Sequence, residues 1–158
     1  MSQFFSPSGK KFNAASVVSE IIDFMKADSK RRYRIVIGTD SLLLADKSAD
    51  FVAAVVVHRV GNGGRYFWRR ESFKKLPTLR DRIFKEVILS LDLAKEILLD
   101  LKNSKAPDFD FEIHVDIGTN GPSSEMMQEV IGMVRAYNFE VKTKPESYAA
   151  SKVADRHI

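Results

Sequence analysis

Residues 33–40 read YRIVIGTD, an apolar run that is dominated by β-branched side chains and ends on an acid. Such a run is too short for a typical helix, and β-branched residues favour extended backbone, so it predicts a buried strand with Asp40 as its last residue. A carboxylate at the end of a buried strand needs solvent or a partner. The neighbouring segments decide what that strand pairs with.

Two further strands are predicted directly after the first. Residues 51–60 are rich in Val, residues 65–73 are aromatic and basic, and the segment between them contains Gly61-Asn62-Gly63-Gly64. Glycine and asparagine in this arrangement are a strong turn signal between antiparallel strands. The first three strands are therefore expected to form an antiparallel meander.

Beyond the meander, helical and extended patterns alternate. Apolar residues recur every three or four positions in the long stretch that opens at residues 77–78, which is typical of an amphipathic helix. The remaining predicted elements are an N-terminal helix over 14–27 capped by Asn13, the long helix ending at 102–103, a strand over 109–117, a helix to about Tyr137, a strand over 139–143 and a terminal helix from Pro145.

This order predicts one α/β domain over residues 1–158, in which residues 1–32 form an N-terminal helical extension. Right-handed crossovers place the fourth strand parallel to the first and beside it. We expect a mixed five-stranded sheet with strands 1–3 antiparallel, strands 4 and 5 parallel to strand 1, and helices on both faces. Functional groups in such sheets gather beyond the carboxyl ends of the parallel strands.

Composition excludes several classes of protein and is compatible with a nucleic acid partner. The 158 residues include 25 Lys and Arg against 21 Asp and Glu, a net charge of +4 that suits a polyanion. No apolar run approaches the ~20 residues of a membrane span, and no secretion signal precedes the first helix, so a cytoplasmic location is expected. The absence of cysteine excludes disulfides and thiolate metal sites.

The acids Asp40 and Asp116 are expected to emerge side by side, because they lie at the ends of two adjacent parallel strands. Carboxylates so placed repel each other and need either a raised pKa or a cation. Hard oxygen ligands favour Mg²⁺ or Mn²⁺. Two more candidates lie on helices: Glu86, at the edge of the apolar stripe of the long helix, and Asp155, on the terminal helix. Asp81 is the alternative to Glu86, nearer the helix start.

Four motifs carry a resemblance to a known family. Residues 37–41 (IGTDS), 114–121 (HVDIGTNG), 144–147 (KPES) and 153–157 (VADRH) resemble the bacterial YkuK group of ribonuclease-H-like proteins, long labelled a domain of unknown function. The resemblance implies a ribonuclease-H-like fold whose catalytic and metal-binding acids are Asp40, Glu86, Asp116 and Asp155. It thereby implies a Mg²⁺- or Mn²⁺-dependent nuclease, a hydrolase acting on RNA or a nucleic acid hybrid; the alternative is a non-catalytic nucleic-acid-binding or interaction module.

Five residues in or beside these motifs are candidates for substrate contacts. Lys144 is expected at the same cleft as the acids, where its charge would hold a substrate phosphate. His114 would either assist proton transfer or serve as a core histidine. His157 would either contact a substrate phosphate or belong to a chain end without fixed contacts. Ser41 and Asn120 belong to the same motifs and are expected to contact substrate.

An aromatic and basic segment on the third predicted strand has two interpretations. The aromatic residues at 66–68 are interleaved with Arg65, Arg69 and Arg70. They form either a stacking surface for unpaired bases, or part of the core beside a solvated edge.

Overall fold

The computed structural model describes residues 3–76, 78–147 and 157. Within these residues the chain forms one mixed sheet with three α-helices and a short 3₁₀ turn at Ser124–Met126. The elements are β1 (Phe4–Phe5), β2 (Lys11–Phe12), α1 (Ala14–Lys26), β3 (Tyr33–Leu43), β4 (Ala49–Arg59), β5 (Gly64–Phe73), α2 (Leu79–Asn103), β6 (Asp110–His114), α3 (Met127–Ala136) and β7 (Glu140–Lys142).

The central strand β3 organises the sheet by pairing on both of its edges. On one edge it runs antiparallel to β4 along its whole length, from Tyr33↔Arg59 to Leu43↔Ala49. On the other it runs parallel to β6, which in turn is parallel to β7. The predicted meander and the predicted parallel neighbour of the first strand are therefore confirmed.

The core fills the space between one face of this sheet and the helices. Alternate residues of a strand point to opposite faces, and Ile35 and Ile37 of β3 belong to a buried cluster that also contains Val17 of α1, Ile97 of α2 and Val130 of α3. All three described helices thus pack on the same sheet face. Residues 148–156, where most of the predicted terminal helix falls, lie outside the described residues, and Pro145 lies in a turn.

The prediction of five strands is wrong, since the sheet has seven within the described residues, in the order β2-β1-β5-β4-β3-β6-β7. The two additional strands form a hairpin that joins β5 through the pair Phe5↔Trp68. The N-terminal segment is therefore not a helical extension alone. Two-residue strands are too short to show a periodic pattern, and the hairpin is fixed against the core by the burial of Phe4 and the packing of Phe12.

Two strand boundaries also differ from expectation. Asp40 is not the last residue of its strand, because the ladder with β4 continues three residues further, to Leu43. The strand predicted over 109–117 ends at His114. Beyond it, the chain forms hydrogen bonds on the side of β7, where the Val115 amide donates to the Lys142 carbonyl at 3.0 Å. Sequence alone does not reveal these limits, since the residues beyond them remain compatible with extended backbone.

The helix α1 begins and ends close to the expected positions. Its predicted cap is confirmed, because the Asn13 side chain accepts a hydrogen bond from the Ser16 amide at 2.8 Å. Although it precedes the first long strand, α1 contributes fully buried side chains to the core, among them Ile21. None of the helices that the structure describes is long and apolar enough to cross a membrane.

The buried face of α1 leads to a stability prediction. Ile21→Ala is expected to lower the free energy of unfolding by ~2–5 kcal/mol, because it leaves a cavity between α1 and the sheet. The neighbouring Glu20→Ala, on the exposed side of the same turn, is the matched control and should change it by less than about 0.5 kcal/mol. Urea unfolding followed by circular dichroism measures both, and equal small effects would contradict the packing of α1.

Candidate functional site

Asp40 and Asp116 approach one another because β3 and β6 run in the same direction. The parallel ladder ends at the pair Gly38↔His114, and Asp40 and Asp116 each lie two residues further along their chains, at the same end of the sheet. Both side chains are partly buried. The Ser41 amide donates to Asp40 Oδ1 at 2.8 Å, which fixes this carboxylate at the strand.

Glu86 reaches the same end of the sheet from α2. Its Oε2 accepts a hydrogen bond from the Ser41 hydroxyl at 2.5 Å. Burial raises the pKa of Glu86 well above its ordinary value of 4.5, and the negative charges of Asp40 and Asp116 raise it further, against the lowering effect of the Ser41 hydrogen bond. Three carboxylates from three separate elements are therefore close enough to interact electrostatically.

The alternative helix acid, Asp81, lies elsewhere. It is exposed in the first turn of α2, where its backbone amide donates a hydrogen bond to the capping Thr78 hydroxyl at 3.0 Å. A carboxylate there interacts favourably with the helix dipole, which is an ordinary structural role. The geometry thus favours Glu86 over Asp81 as the helix member of the acidic group.

A buried hydrogen bond between hydroxyls ties α2 to β3 near this group. Thr39 Oγ1 and Ser90 Oγ lie 2.7 Å apart, and Ser90 is one helical turn beyond Glu86. Both line, with Glu86 and Asp116, the narrow cavity between α2 and the ends of β3 and β6. The sequence analysis missed this pair, although a serine among apolar residues on the buried face of α2 was a usable signal.

Lys144 lies beside Asp116, at the position expected for it. Its Nζ is 3.1 Å from Asp116 Oδ1, and its amide donates to the Ile117 carbonyl at 2.8 Å. The backbone at Gly118 passes so close that a Cβ there would lie 3.1 Å from Lys144 Cβ. A cation is thus held against the acidic group by the strand-like pairing of residues 115–117 with 142–144.

The hydrogen-bond partner of His114 is Glu112 of its own strand, which does not belong to the acidic group of Asp40, Glu86 and Asp116. His114 Nε2 lies 2.8 Å from Glu112 Oε1, with both side chains buried, and Arg34 Nε is 3.8 Å from the same oxygen. Burial lowers the pKa of His114 below its ordinary value of 6.5, while the Glu112 hydrogen bond and charge act in the opposite direction. This arrangement favours the interpretation as a core histidine, and the sequence analysis overlooked Glu112.

The remaining candidates are spread around the sheet. Ser41 binds Glu86, so its hydroxyl positions an acid. Asn120 is exposed in the loop after β6. The His157 ring packs against β5, where it contacts the side chains of Trp68 and Tyr66. Asp155 is outside the described residues.

The donor chemistry of the acidic group suits a hard divalent cation, but its described members do not by themselves form a ready-made coordination sphere. Among residues 3–76, 78–147 and 157, no group of three or more His, Cys, Asp or Glu side chains is arranged to hold a metal ion. Glu86 is engaged by Ser41, and Asp116 is engaged by Lys144. What suits a cation is the closeness of three carboxylates: burial raises the pKa of Glu86, and the negative charges of Asp40 and Asp116 raise it further.

The fold and these motifs agree with the comparison to known proteins. The chain belongs to the ribonuclease H-like family, whose model matches residues 16–158. It is similar to the "Uncharacterized protein YkuK" of Bacillus subtilis (strain 168), with 29% identity over 164 aligned residues that cover 97% of this chain and 95% of the relative. No solved structure matches the chain significantly. The resemblance stated from the motifs is therefore confirmed, and the name of the relative specifies no activity.

The electrostatics of Glu86 predict a pH dependence of stability in metal-free buffer. A carboxyl whose pKa is raised by folding binds more protons in the folded state, so its contribution to stability falls as pH rises from about 4.5 through the raised pKa. Glu86→Gln removes this loss and keeps an acceptor for Ser41. Relative to wild type, the variant should gain stability as the pH rises from about 4.5 toward the raised pKa of Glu86.

Urea midpoints measured in EDTA at several pH values test this prediction. Glu125→Gln, which changes an exposed acid before α3, serves as the control, and its difference from wild type should stay flat. If the stability difference between Glu86→Gln and wild type also did not change with pH, the pKa of Glu86 would not be raised by burial and by its acidic neighbours, and the prediction would be wrong.

Proposed function

We propose that this protein is a divalent-metal-dependent nuclease that hydrolyses phosphodiester bonds in RNA or a nucleic acid hybrid by a carboxylate-bound two-metal mechanism. The observation that carries the proposal is the meeting of Asp40, Glu86 and Asp116, from three different elements, at the carboxyl end of the central parallel strands. Membership of the ribonuclease H-like family supports it.

Asp40, Glu86 and Asp116 would hold Mg²⁺ or Mn²⁺, together with Asp155, which enters from the sequence resemblance alone. Bound divalent cations supply electrostatic stabilisation of the negative charge that develops on the phosphodiester during hydrolysis. Ser41 orients Glu86 through its hydroxyl and fixes Asp40 through its amide. These two contacts keep the carboxylates in place before substrate arrives.

Lys144 has a separate role in this proposal. Its ammonium group lies 3.1 Å from Asp116 and its side chain is about half exposed, so it can contact a substrate phosphate without leaving the site. A cation at this position also offsets the repulsion among the acids when they hold no metal. Lys144 is therefore assigned to substrate binding, along with the exposed Asn120.

A nucleic-acid-binding module without turnover is the second candidate. The ion pair of Asp116 with Lys144 favours it, because the pair satisfies one carboxylate without a metal. Both candidates have a nucleic acid partner, which the net charge of +4 suits. They differ in whether the acids support cleavage.

A cleavage assay separates the two candidates. With mixed-sequence RNA and RNA–DNA hybrid substrates and Mn²⁺, wild type should cleave, and Asp116→Asn should lower the rate by about 100-fold or more, as expected for loss of a group that stabilises the transition state. Asp92→Asn, on the exposed side of α2, is the matched acidic control and should cleave as wild type does.

Two results would count against the nuclease. Equal cleavage by wild type and Asp116→Asn would assign the activity to another site or to a contaminant. Retention of tight binding by wild type without any cleavage, with Mg²⁺ or Mn²⁺ present, would favour the binding module.

A further inference from the structure

Two aromatic side chains of β5, Tyr66 and Trp68, share a sheet face with Asp40. Cross-strand neighbours in a sheet point to the same side, and the ladder aligns Asp40 with Val52 and Arg70 in one row. The next row aligns Gly38 with Ala54 and Trp68. Two strand spacings separate the ends of each row, so Trp68 lies roughly 10–12 Å from Asp40 across the same face.

A planar ring already rests on Trp68. The imidazole of His157 stacks on the indole with ring centroids 4.2 Å apart and planes within 13°. At its edge, His157 Nε2 lies 3.2 Å from the hydroxyl of Tyr66. One face of a nitrogen heterocycle is thus stacked while its edge meets a hydrogen-bonding group, which is how proteins hold an unpaired base.

The surroundings of this stack suit a nucleic acid strand. The exposed Arg70 places its guanidinium 6.0 Å from the Trp68 ring, and it lies in the same row as Asp40. Phe5 of the N-terminal hairpin packs against Trp68 at 5.0 Å and supports it. Tyr66 also lines a cavity of about 870 Å³, together with Arg34 and other side chains of both charges.

We propose that Trp68, Tyr66 and Arg70 form a stacking site for an unpaired base, and that the His157 ring occupies this site as a base mimic when nucleic acid is absent. The inference rests on the proposed function for the nature of the partner. It assigns the protein a preference for strands with unpaired bases, since a paired and stacked base cannot present its face to Trp68. A strand bound there through one base extends across the sheet toward Asp40.

Trp68 is the single tryptophan of the chain, so its fluorescence reports on this site alone. The probes are an oligouridylate of six nucleotides and a blunt RNA duplex of matched total length, both in EDTA so that cleavage does not interfere. The oligouridylate should change the Trp68 emission and the duplex should not. Emission that responds equally to both probes would overturn the proposed preference.

Variants test the two parts of the proposal by the anisotropy of a labelled oligouridylate. Trp68→Leu should weaken binding by roughly fivefold or more, the lower limit for one stacked base, and Trp68→Phe should restore most of it. His157→Ala should strengthen binding, because the competing ring is gone. Tyr137→Leu, which removes an exposed aromatic ring at the end of α3, is the control and should bind as wild type.

Each alternative outcome is distinguishable. Weaker or unchanged binding by His157→Ala would show that the contact with Trp68 serves to hold His157 in place, and would overturn the proposal that His157 mimics a base. Unchanged binding by Trp68→Leu, with an unaltered circular dichroism spectrum, would overturn the stacking site even if the protein cleaves nucleic acid. Failure of the cleavage assay with these binding differences intact would overturn the nuclease and leave the stacking site standing.

Discussion

The parallel pairing of β3 with β6 is the constraint on which the candidate site depends. Because the ladder ends at the pair Gly38↔His114, the aspartates two residues further along each chain lie at the same end of the sheet. The packing of α2 over the same strands then adds Glu86. The hydrogen bond between the buried Thr39 and Ser90 hydroxyls fixes the position of α2 along β3, and thereby that of Glu86. A shift of either strand by one residue would turn its acid to the opposite face.

Repulsion among the three acids is relieved by local means in the folded chain. Protonation of Glu86 is favoured by burial, the Ser41 hydroxyl donates to it, and Lys144 neutralises Asp116. Two of these contacts, from the Ser41 hydroxyl to Glu86 and from the Lys144 ammonium to Asp116, are made by side-chain ends, whereas the strands that carry Asp40 and Asp116 are fixed by the backbone ladder of β3 and β6.

Much of this arrangement could be predicted from the sequence, because β-branched runs mark the strands and the handedness of crossovers places the parallel strands side by side, although the exact limits of the strands could not be read. The positions of Asp40 and Asp116 follow from two apolar runs and the rule that places parallel strands side by side. Glu86 was less certain, since periodicity gives the face of a helix but not its height along the sheet, and Asp81 remained a rival until the packing of α2 was known. Asp155 stays a prediction from the resemblance.

Other features were out of reach for physical reasons. The hairpin of β1 and β2 is held by the contacts of Phe4 and Phe5 with distant residues, and two-residue strands leave no pattern. The stacking contact between His157 and Trp68 joins residues nearly ninety positions apart in the sequence, so it depends on the tertiary structure alone. By contrast, the pair of Glu112 and His114 was readable, since residues two apart on a strand share a face.

The central claim is that the acids of this site bind a divalent cation. The most direct measurement is anomalous diffraction from crystals of the protein soaked in Mn²⁺. The account predicts a manganese peak in contact with carboxylate oxygens of Asp40 and Asp116, and its loss in crystals of Asp116→Asn. A saturating soak without a peak between these two residues, or a peak that persists unchanged in the variant, would contradict it.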